Sequence, residues 1–224
     1  MLVGVVSDVH ANRVALRAVL EDMPEVDRLV CAGDVVGYNP WPADCVDALR
    51  DRDVPTVTGN HDRAVVTGTG FGGNGMAQAG VEHAREVLDD DRLAWLEGLP
   101  AERRVLDGRV KLVHGHPDDP DRYTYPEQFA PGMLDAERVL VLGHTHLQAH
   151  RTFDAGVVVN PGSVGQPRDG DPRAAYAVLD LPADDAETPT VEERRVEYDV
   201  DRVQRRVNEV GLPERTGTRL RTGR

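Results

Sequence analysis

The chain has 224 residues, 40% of them apolar, and a formal net charge of −13. That length suffices for one domain with a substantial core. No apolar run reaches the roughly 20 residues that a bilayer-spanning helix needs. A membrane partner is therefore not expected, and so acidic a chain is poorly matched to non-specific nucleic-acid binding, which relies on basic patches. Of the 39 acidic residues 25 are Asp, and Lys111 is the only lysine among 26 basic residues. This balance is expected of a halophilic surface, where salt screens self-repulsion; a GC-rich genome would also exchange Lys for Arg.

From the first residues onward the pattern alternates strand and helix. Leu2–Ser7 is a nearly continuous apolar strand rather than a targeting segment, which points to a cytoplasmic location. Asn12 can cap a helix running to about Asp22, with Ala15, Leu16, Val19 and Leu20 on one face. Arg28–Ala32 is predicted as a second buried strand, Ala43–Arg50 as a second helix and Pro55–Thr58 as a third strand, a βαβαβ order that implies a parallel sheet. Cys31 and Cys45 are too few and too far apart for a knuckle or disulfide framework, and Cys31 reads as a small buried hydrophobe. Gly68–Gly75 is a flexible loop, and helical segments follow to about Leu96.

The second half is richer in strands, expected at Arg104–Leu106, Val110–Val113, Val139–Leu142, Val157–Asn160, Ala174–Leu179 and Val191–Val196. Turn signals such as Asp107-Gly108 and Asn160-Pro-Gly separate several of them. Leu181–Pro189 is a polar loop and Val200–Val210 a last helix. Residues 1–211 form the predicted domain, and 212–224, rich in Arg, Gly and Thr, are expected to be a frayed tail.

Five short segments place acid, imidazole and amide groups at the ends of predicted strands: Ser7-Asp8-Val9-His10, Gly33-Asp34, Gly59-Asn60-His61-Asp62, His114-Gly115-His116 and Gly143-His144-Thr145-His146. Carboxyl ends of strands are where open α/β sheets bind ligands. Residues two apart, Asp8/His10 and His144/His146, would point the same way along extended backbone and could each grip one ion. Each segment alone has a bland reading as a turn or a packed histidine. Their conjunction at five strand ends is what points to a bimetallic ligand set.

The order Asp-x-His, Gly-Asp, Gly-Asn-His-Asp, His, Gly-His-x-His resembles the calcineurin-like metallophosphoesterase superfamily, from residue 2 to about residue 180. Finer features, Gly33-Asp-Val-Val-Gly-Tyr-Asn-Pro, His114-Gly-His-Pro-Asp-Asp-Pro and Asn160-Pro-Gly-Ser-Val-Gly-Gln-Pro-Arg, resemble its small prokaryotic phosphodiesterase-like branch. The resemblance implies an α/β fold, a four-layer αββα sandwich of two mixed sheets flanked by helices. It implies that Asp8, His10 and His146 hold a first metal, that Asp34 bridges, and that Asn60, His114 and His144 complete a second. That donor set suits Mn²⁺, Fe, Co²⁺, Ni²⁺ or Zn²⁺ better than Mg²⁺ alone, with Mn²⁺ preferred here. The implied reaction is attack of a metal-bridging hydroxide on a small phosphate ester, diester before monoester, with His61 protonating the leaving group and Asp62 orienting His61.

Some residues depart from the family pattern. Gly37-Tyr38 stands where protein phosphatases and diadenosine tetraphosphatases of the superfamily resemble one another in carrying a phosphate-binding Arg. Arg13, Tyr38 and Arg168 are candidate substrate contacts, each with a plain surface or packing alternative. His116 reads as a hydrogen-bonded loop residue rather than a ligand. The alternative function is a non-catalytic scaffold or assembly subunit of the same fold, and homo-oligomerisation stays open.

Overall fold

The computed structural model describes residues 1–184 and 187–224, so the expected polar loop Leu181–Pro189 lies in part outside the described residues. Two mixed sheets face each other, as the αββα class requires. The first has the order β2-β1-β8-β9, built from β1 (Leu2–Val6), β2 (Arg28–Cys31), β8 (Ala174–Asp180) and β9 (Thr190–Val196). The second has the order β3-β4-β5-β7-β6, built from β3 (Glu102–Val105), β4 (Val110–Val113), β5 (Val139–Val141), β6 (Gln148–Phe153) and β7 (Gly156–Pro161). β1 pairs parallel with β2 and antiparallel with β8, while β4, β5 and β7 run parallel to one another.

The inner faces meet in a dry core. Val3, Val5 and Val30 on one side pack with Leu112, Val141 and Val159 on the other. Strands buried on both faces carry continuous apolar runs, and β1 and β7 have that character. Outside the first sheet lie α1 (Arg13–Asp22), α2 (Pro42–Arg50), α3 (Asn60–Thr67), α4 (Gly75–Val87) and α5 (Asp90–Glu97). The Asn12 side chain caps α1 by accepting from the Ala15 N–H at 3.1 Å. Over the second sheet the outer layer is thin. Residues 114–138 carry two 3₁₀ turns, Pro126–Gln128 and Pro131–Met133, and Phe129 packs there on Val113, Leu140 and Leu142.

Two sequence expectations differ from the structure, and one strand was not expected. Pro55–Thr58 contributes one β-bridge, Cys31 to Thr56, because the Thr58 N–H turns away to the Pro100 carbonyl. β6 has no apolar signature because it is the exposed edge of its sheet, where polar residues are usual. The expected frayed tail is ordered. Beyond α6 (Val200–Glu209) the chain forms α7 (Glu214–Thr218) and a 3₁₀ turn at Arg219–Arg221. Leu212 and Leu220 are buried there with Trp41, Val203 and Val207, and the Gly170 N–H donates to the Gly223 carbonyl at 2.9 Å. Two leucines anchor the segment, too few to register against its polar composition. No described helix is long and apolar enough to cross a membrane.

Glu137 ties down the thin outer layer. Its buried side chain accepts from Arg104 Nη1 at 2.6 Å and from the Asp135 N–H at 3.2 Å. Burial pushes its carboxyl up, but the backbone and Arg104 donors outweigh this and hold it below its ordinary value. A lowered folded-state value stabilises above the unfolded value, and the gain is lost as pH falls through the folded one. Glu137→Gln is therefore expected to cost about 1–3 kcal/mol at neutral pH. Denaturant titrations should show the gap from wild type closing as the pH drops below the usual carboxylate range. A gap independent of pH would mean that shape, not charge, is what Glu137 contributes.

Candidate metal centre

The loops that follow β1, β2, β4 and β5 all open at one end of the sandwich. They deliver Asp8 and His10, Asp34, His114, and His144 and His146 respectively, while Asn60 opens α3. The pairs two apart do not converge along extended backbone. Asp8, His10, Asp34, His144 and His146 have φ of 52°, 45°, 52°, 68° and 63°. Left-handed backbone at non-glycine residues costs of order 1–3 kcal/mol each and concentrates at functional sites. Here it bends each loop back so that the side chains meet. Two glycines permit the close approach: a Cβ at Gly59 would stand 2.6 Å from Asp34 Cγ, and one at Gly143 would stand 2.9 Å from Asp8 Oδ2.

Three overlapping triads of potential ligand atoms result, Asp8/His10/His146, Asp34/His114/His144 and His10/Asp34/His61, each with its atoms within 4.8 Å of one another. The hydrogen bonds behind the rings fix which nitrogen faces inward. His10 Nδ1 meets the Val36 carbonyl at 3.1 Å, His146 Nδ1 the Gln166 carbonyl at 2.6 Å, and His114 Nδ1 the Ala32 carbonyl at 2.7 Å. A carbonyl only accepts, so in each ring Nδ1 carries the proton and a neutral ring's Nε2 lone pair points into the site. In the neutral rings two such lone pairs, His10 and His146, face each other at 3.1 Å. That contact is repulsive unless a cation is shared between them. His144 is turned the other way: Nε2 donates to the Asp121 carbonyl at 3.2 Å, leaving Nδ1 as its donor atom.

The carboxylates complete the geometry. Asp8 Oδ2 accepts from Ser7 Oγ at 2.8 Å and the His144 N–H at 3.1 Å, and Oδ1 is left 3.2 Å from His146 Nε2. Asp34 Oδ1 accepts from the His61 N–H at 2.8 Å. Its Oδ2 lies between the first two triads, 3.6 Å from His10 Nε2 and 3.3 Å from His114 Nε2. Asp8 Oδ1, Asn60 Oδ1 and His114 Nε2 are buried without a hydrogen-bond partner, the His114–Asp34 approach being close but off hydrogen-bond geometry. Buried polar atoms are almost always paired, so Asp8 Oδ1 and His114 Nε2, orphaned inside one carboxylate–imidazole cluster, fit divalent cations.

The electrostatics agree. Burial pushes the Asp8 and Asp34 carboxyls up, but the neighbouring histidines more than offset it and hold both below the usual carboxylate range. Burial holds His10 and His146 below the ordinary imidazole value and, with the His114 charge, takes His144 down to about 4. Burial also opposes charge on His114, yet Asp34 and Asp8 raise it to about 9. Ionised carboxylates and neutral imidazoles are the metal-binding forms; the proton on His114 occupies a position that a cation would claim.

His61 stands beside this cluster. Its ring stacks on Phe71 at 4.4 Å between centroids and lies 4.6 Å from Tyr38, with Nδ1 buried and unpartnered. Burial takes it down to about 4. It also falls within ligand distance of His10 and Asp34. Asp62 does not orient it as the sequence reading expects. Both Asp62 oxygens accept from backbone N–H groups, Val36 at 3.1 Å and Gly59 at 2.9 Å, so the carboxylate pins the start of α3 against the Asp34 loop. Burial, then Asp34, raises Asp62 to about 7.

Of the candidate substrate contacts, the structure brings two to the site. Arg168 Nη2 donates to Tyr38 Oη at 3.2 Å, and the Tyr38 ring meets His10 edge-on at 4.8 Å. Arg13 instead pairs with Asp44 at 2.5 Å and lies over Trp41. His116 Nδ1 accepts from the Asp118 N–H at 3.1 Å within its own loop. Sequence reasoning missed the positioning groups Ser163, whose Oγ donates to the Asp8 carbonyl at 2.7 Å, and Asn160, whose Nδ2 donates to the Gly143 carbonyl at 2.7 Å. Both sit in the Asn160–Arg168 segment, whose family-like sequence was the available signal. It also missed Tyr123, stacked on His144 at 3.9 Å, and Phe71, both in loops without periodicity.

Residues 1–184 match the calcineurin-like phosphoesterase superfamily domain. The chain belongs to this superfamily. It is 30% identical over 245 residues to an uncharacterised protein of Methanocaldococcus jannaschii, covering 100% of this chain and 98% of that one. It is 28% identical over 187 residues to the phosphodiesterase YfcE of Escherichia coli strain K12, covering 78% and 84%. A metallophosphoesterase of Sphaerobacter thermophilus superimposes with a TM-score of 0.84 at 35% identity, over 100% of both chains. Membership of the calcineurin-like superfamily, with a buried Asp/His cluster of metal-binding composition, supports a metal-dependent phosphoesterase.

Proposed function

We propose that this calcineurin-like protein is a binuclear metal-dependent phosphodiesterase. The observation that carries the reading is Asp34 Oδ2, set between two ligand triads. Asp8, His10 and His146 would hold one ion, Asn60, His114 and His144 the other, with Asp34 shared. Two divalent ions held there, Mn²⁺ foremost, would supply Lewis acidity and lower the pKa of water. The chain's own groups do the rest. Arg168, bonded to Tyr38 Oη beside His10, would meet the phosphoryl oxygens and supply the clamp that Gly37-Tyr38 lacks as a sequence motif. His61 holds the proton for the departing oxygen. Diester preference is supported by the likeness to an enzyme named a phosphodiesterase.

The test is turnover of bis-p-nitrophenyl phosphate and p-nitrophenyl phosphate after chelation and reloading with Mn²⁺, Co²⁺, Ni²⁺ or Zn²⁺. The expected result is diester hydrolysis that is abolished by chelation, restored by Mn²⁺ and faster than monoester hydrolysis. Faster monoester turnover would overturn the diester assignment, and no turnover with any of the metals would overturn the enzyme reading.

A further inference from the structure

The segment that follows β4 carries two exposed rings at the rim of the Asp/His cluster. The chain has five Tyr, three Phe and two Trp, and of the described aromatic residues only Tyr123 and Tyr125 are exposed, at 46% and 42%. Tyr123 stacks on His144, with centroids 3.9 Å apart and planes inclined by 27°. Tyr125 follows, 6.3 Å from Tyr123 and within 19° of parallel to it. The three rings make a ledge that runs from a buried member of the cluster out to solvent.

The ledge is held by its backbone. Thr124, between the two tyrosines, is buried. The Tyr125 N–H donates to Gln128 Oε1 at 2.7 Å, and the Gln128 N–H donates back to the Tyr125 carbonyl at 2.8 Å. Behind Tyr123, the Asp121 carbonyl accepts from His144 Nε2 at 3.2 Å. Rings fixed in this way lose little freedom when a planar group arrives, so more of the stacking energy is realised as binding. The charge of the loop selects among occupants. Exposed Asp118, Asp121 and Glu127 outnumber Arg122, which disfavours both a polynucleotide and a second copy of this acidic chain. A neutral planar ring meets no such penalty. A ring bonded directly to the phosphoryl group would stay over the cluster, whereas a sugar carries a base out along the ledge.

We propose that Tyr123 and Tyr125 form a base-stacking subsite, and that the substrate is a phosphodiester with a single nucleoside as one arm. This rests on the phosphodiesterase reading. Tyr123 has two neighbours, the arm on one side and the His144 ring on the other. Tyr125 is the specificity-determining residue, because its ring meets Tyr123 and no member of the cluster. Stacking uses the face of the ring, so the phenol hydroxyls are not required.

The test uses the full-length Mn²⁺-loaded protein and two p-nitrophenyl diesters with the same reacting phosphorus and leaving group. One is the ester of thymidine 5′-phosphate and the other that of methyl 2-deoxyriboside 5-phosphate, which lacks the base. The base should raise kcat/KM roughly tenfold, mainly through KM, and the advantage should persist as KCl rises, because stacking of a neutral ring is not screened. Tyr125→Ala should remove most of the advantage and Tyr125→Phe retain it. Calorimetry, which needs no turnover, should show thymidine 5′-phosphate binding roughly tenfold more tightly than the base-free sugar phosphate, a gap that Tyr125→Ala closes. Equal kcat/KM and equal binding within each pair, with both esters turned over, would overturn the subsite and leave the phosphodiesterase reading standing. An advantage undiminished in Tyr125→Ala would overturn the role of Tyr125. A dimer in sedimentation that Tyr125→Ala dissociates, with no advantage for the base, would give the ledge to a second copy and overturn the nucleoside assignment. No turnover of either ester would overturn the parent reading and the diester substrate with it, while the calorimetric gap decides base binding separately.

Discussion

Asp34→Asn is expected to lose both bound ions. Asp34 Oδ2 lies 3.6 Å from His10 Nε2 and 3.3 Å from His114 Nε2, nearer to both than Asp8 Oδ1 at 3.7 and 4.0 Å, so replacing it by an amide removes a negative charge from each triad at once. The fold should survive, because the Asn oxygen can still accept from the His61 N–H as Oδ1 does now. Turnover should fall by about 10³-fold or more, equivalent to roughly 4 kcal/mol of lost transition-state stabilisation. His146→Ala should instead weaken mainly the ion shared with Asp8 and His10. Metal counting by mass spectrometry separates the two. An Asp34→Asn protein that retains two full ions would sink the bridging assignment.

His61→Ala should keep both metals and lose activity in a way that depends on the leaving group. General-acid catalysis contributes about 10²–10⁴-fold and matters most for a strongly basic departing alkoxide. A nucleoside diester should therefore suffer a steep loss in kcat, and a nitrophenyl diester a markedly smaller one. Burial leaves the ring neutral near pH 7 in the ligand-free chain, so the bound ester's negative charge must supply the bias toward protonation. Equal losses on both substrates would assign His61 to phosphate binding or site shape. Loss of an ion would make His61 a ligand, which its distance to His10 and Asp34 permits.

The Asp/His cluster that the structure gathers was legible in the sequence because its residues sit where apolar strands stop, and chemistry at a strand's carboxyl end is marked by an abrupt change in polarity. The way in which they converge was not. Extended backbone predicts that Asp8 and His10 point together, whereas both loops coil through left-handed φ. Nothing in residue type announces strain at a His or an Asp. Asp62 illustrates a second limit. Its position three residues after Gly59 fits an N-terminal helix cap as well as a catalytic partner, and only the two backbone bonds decide between them. The C-terminal segment shows a third. A polar segment anchored by two leucines has no periodicity to read, and its place in the fold is set by contacts more than 170 residues apart in sequence, Trp41 to Leu220.

The sheet order also sets where this protein can be cut. β8 is hydrogen-bonded along its whole length to β9, from Ala174–Val196 to Asp180–Thr190. A gene fragment ending at residue 184, where the superfamily match stops, would leave Ala-Ala-Tyr-Ala-Val-Leu as a bare apolar edge and uncover Trp41. Such an edge is a template for intermolecular strand pairing. The short form is expected to collect in inclusion bodies where the full chain stays in the supernatant, so the family boundary and the folding boundary of this protein are different places.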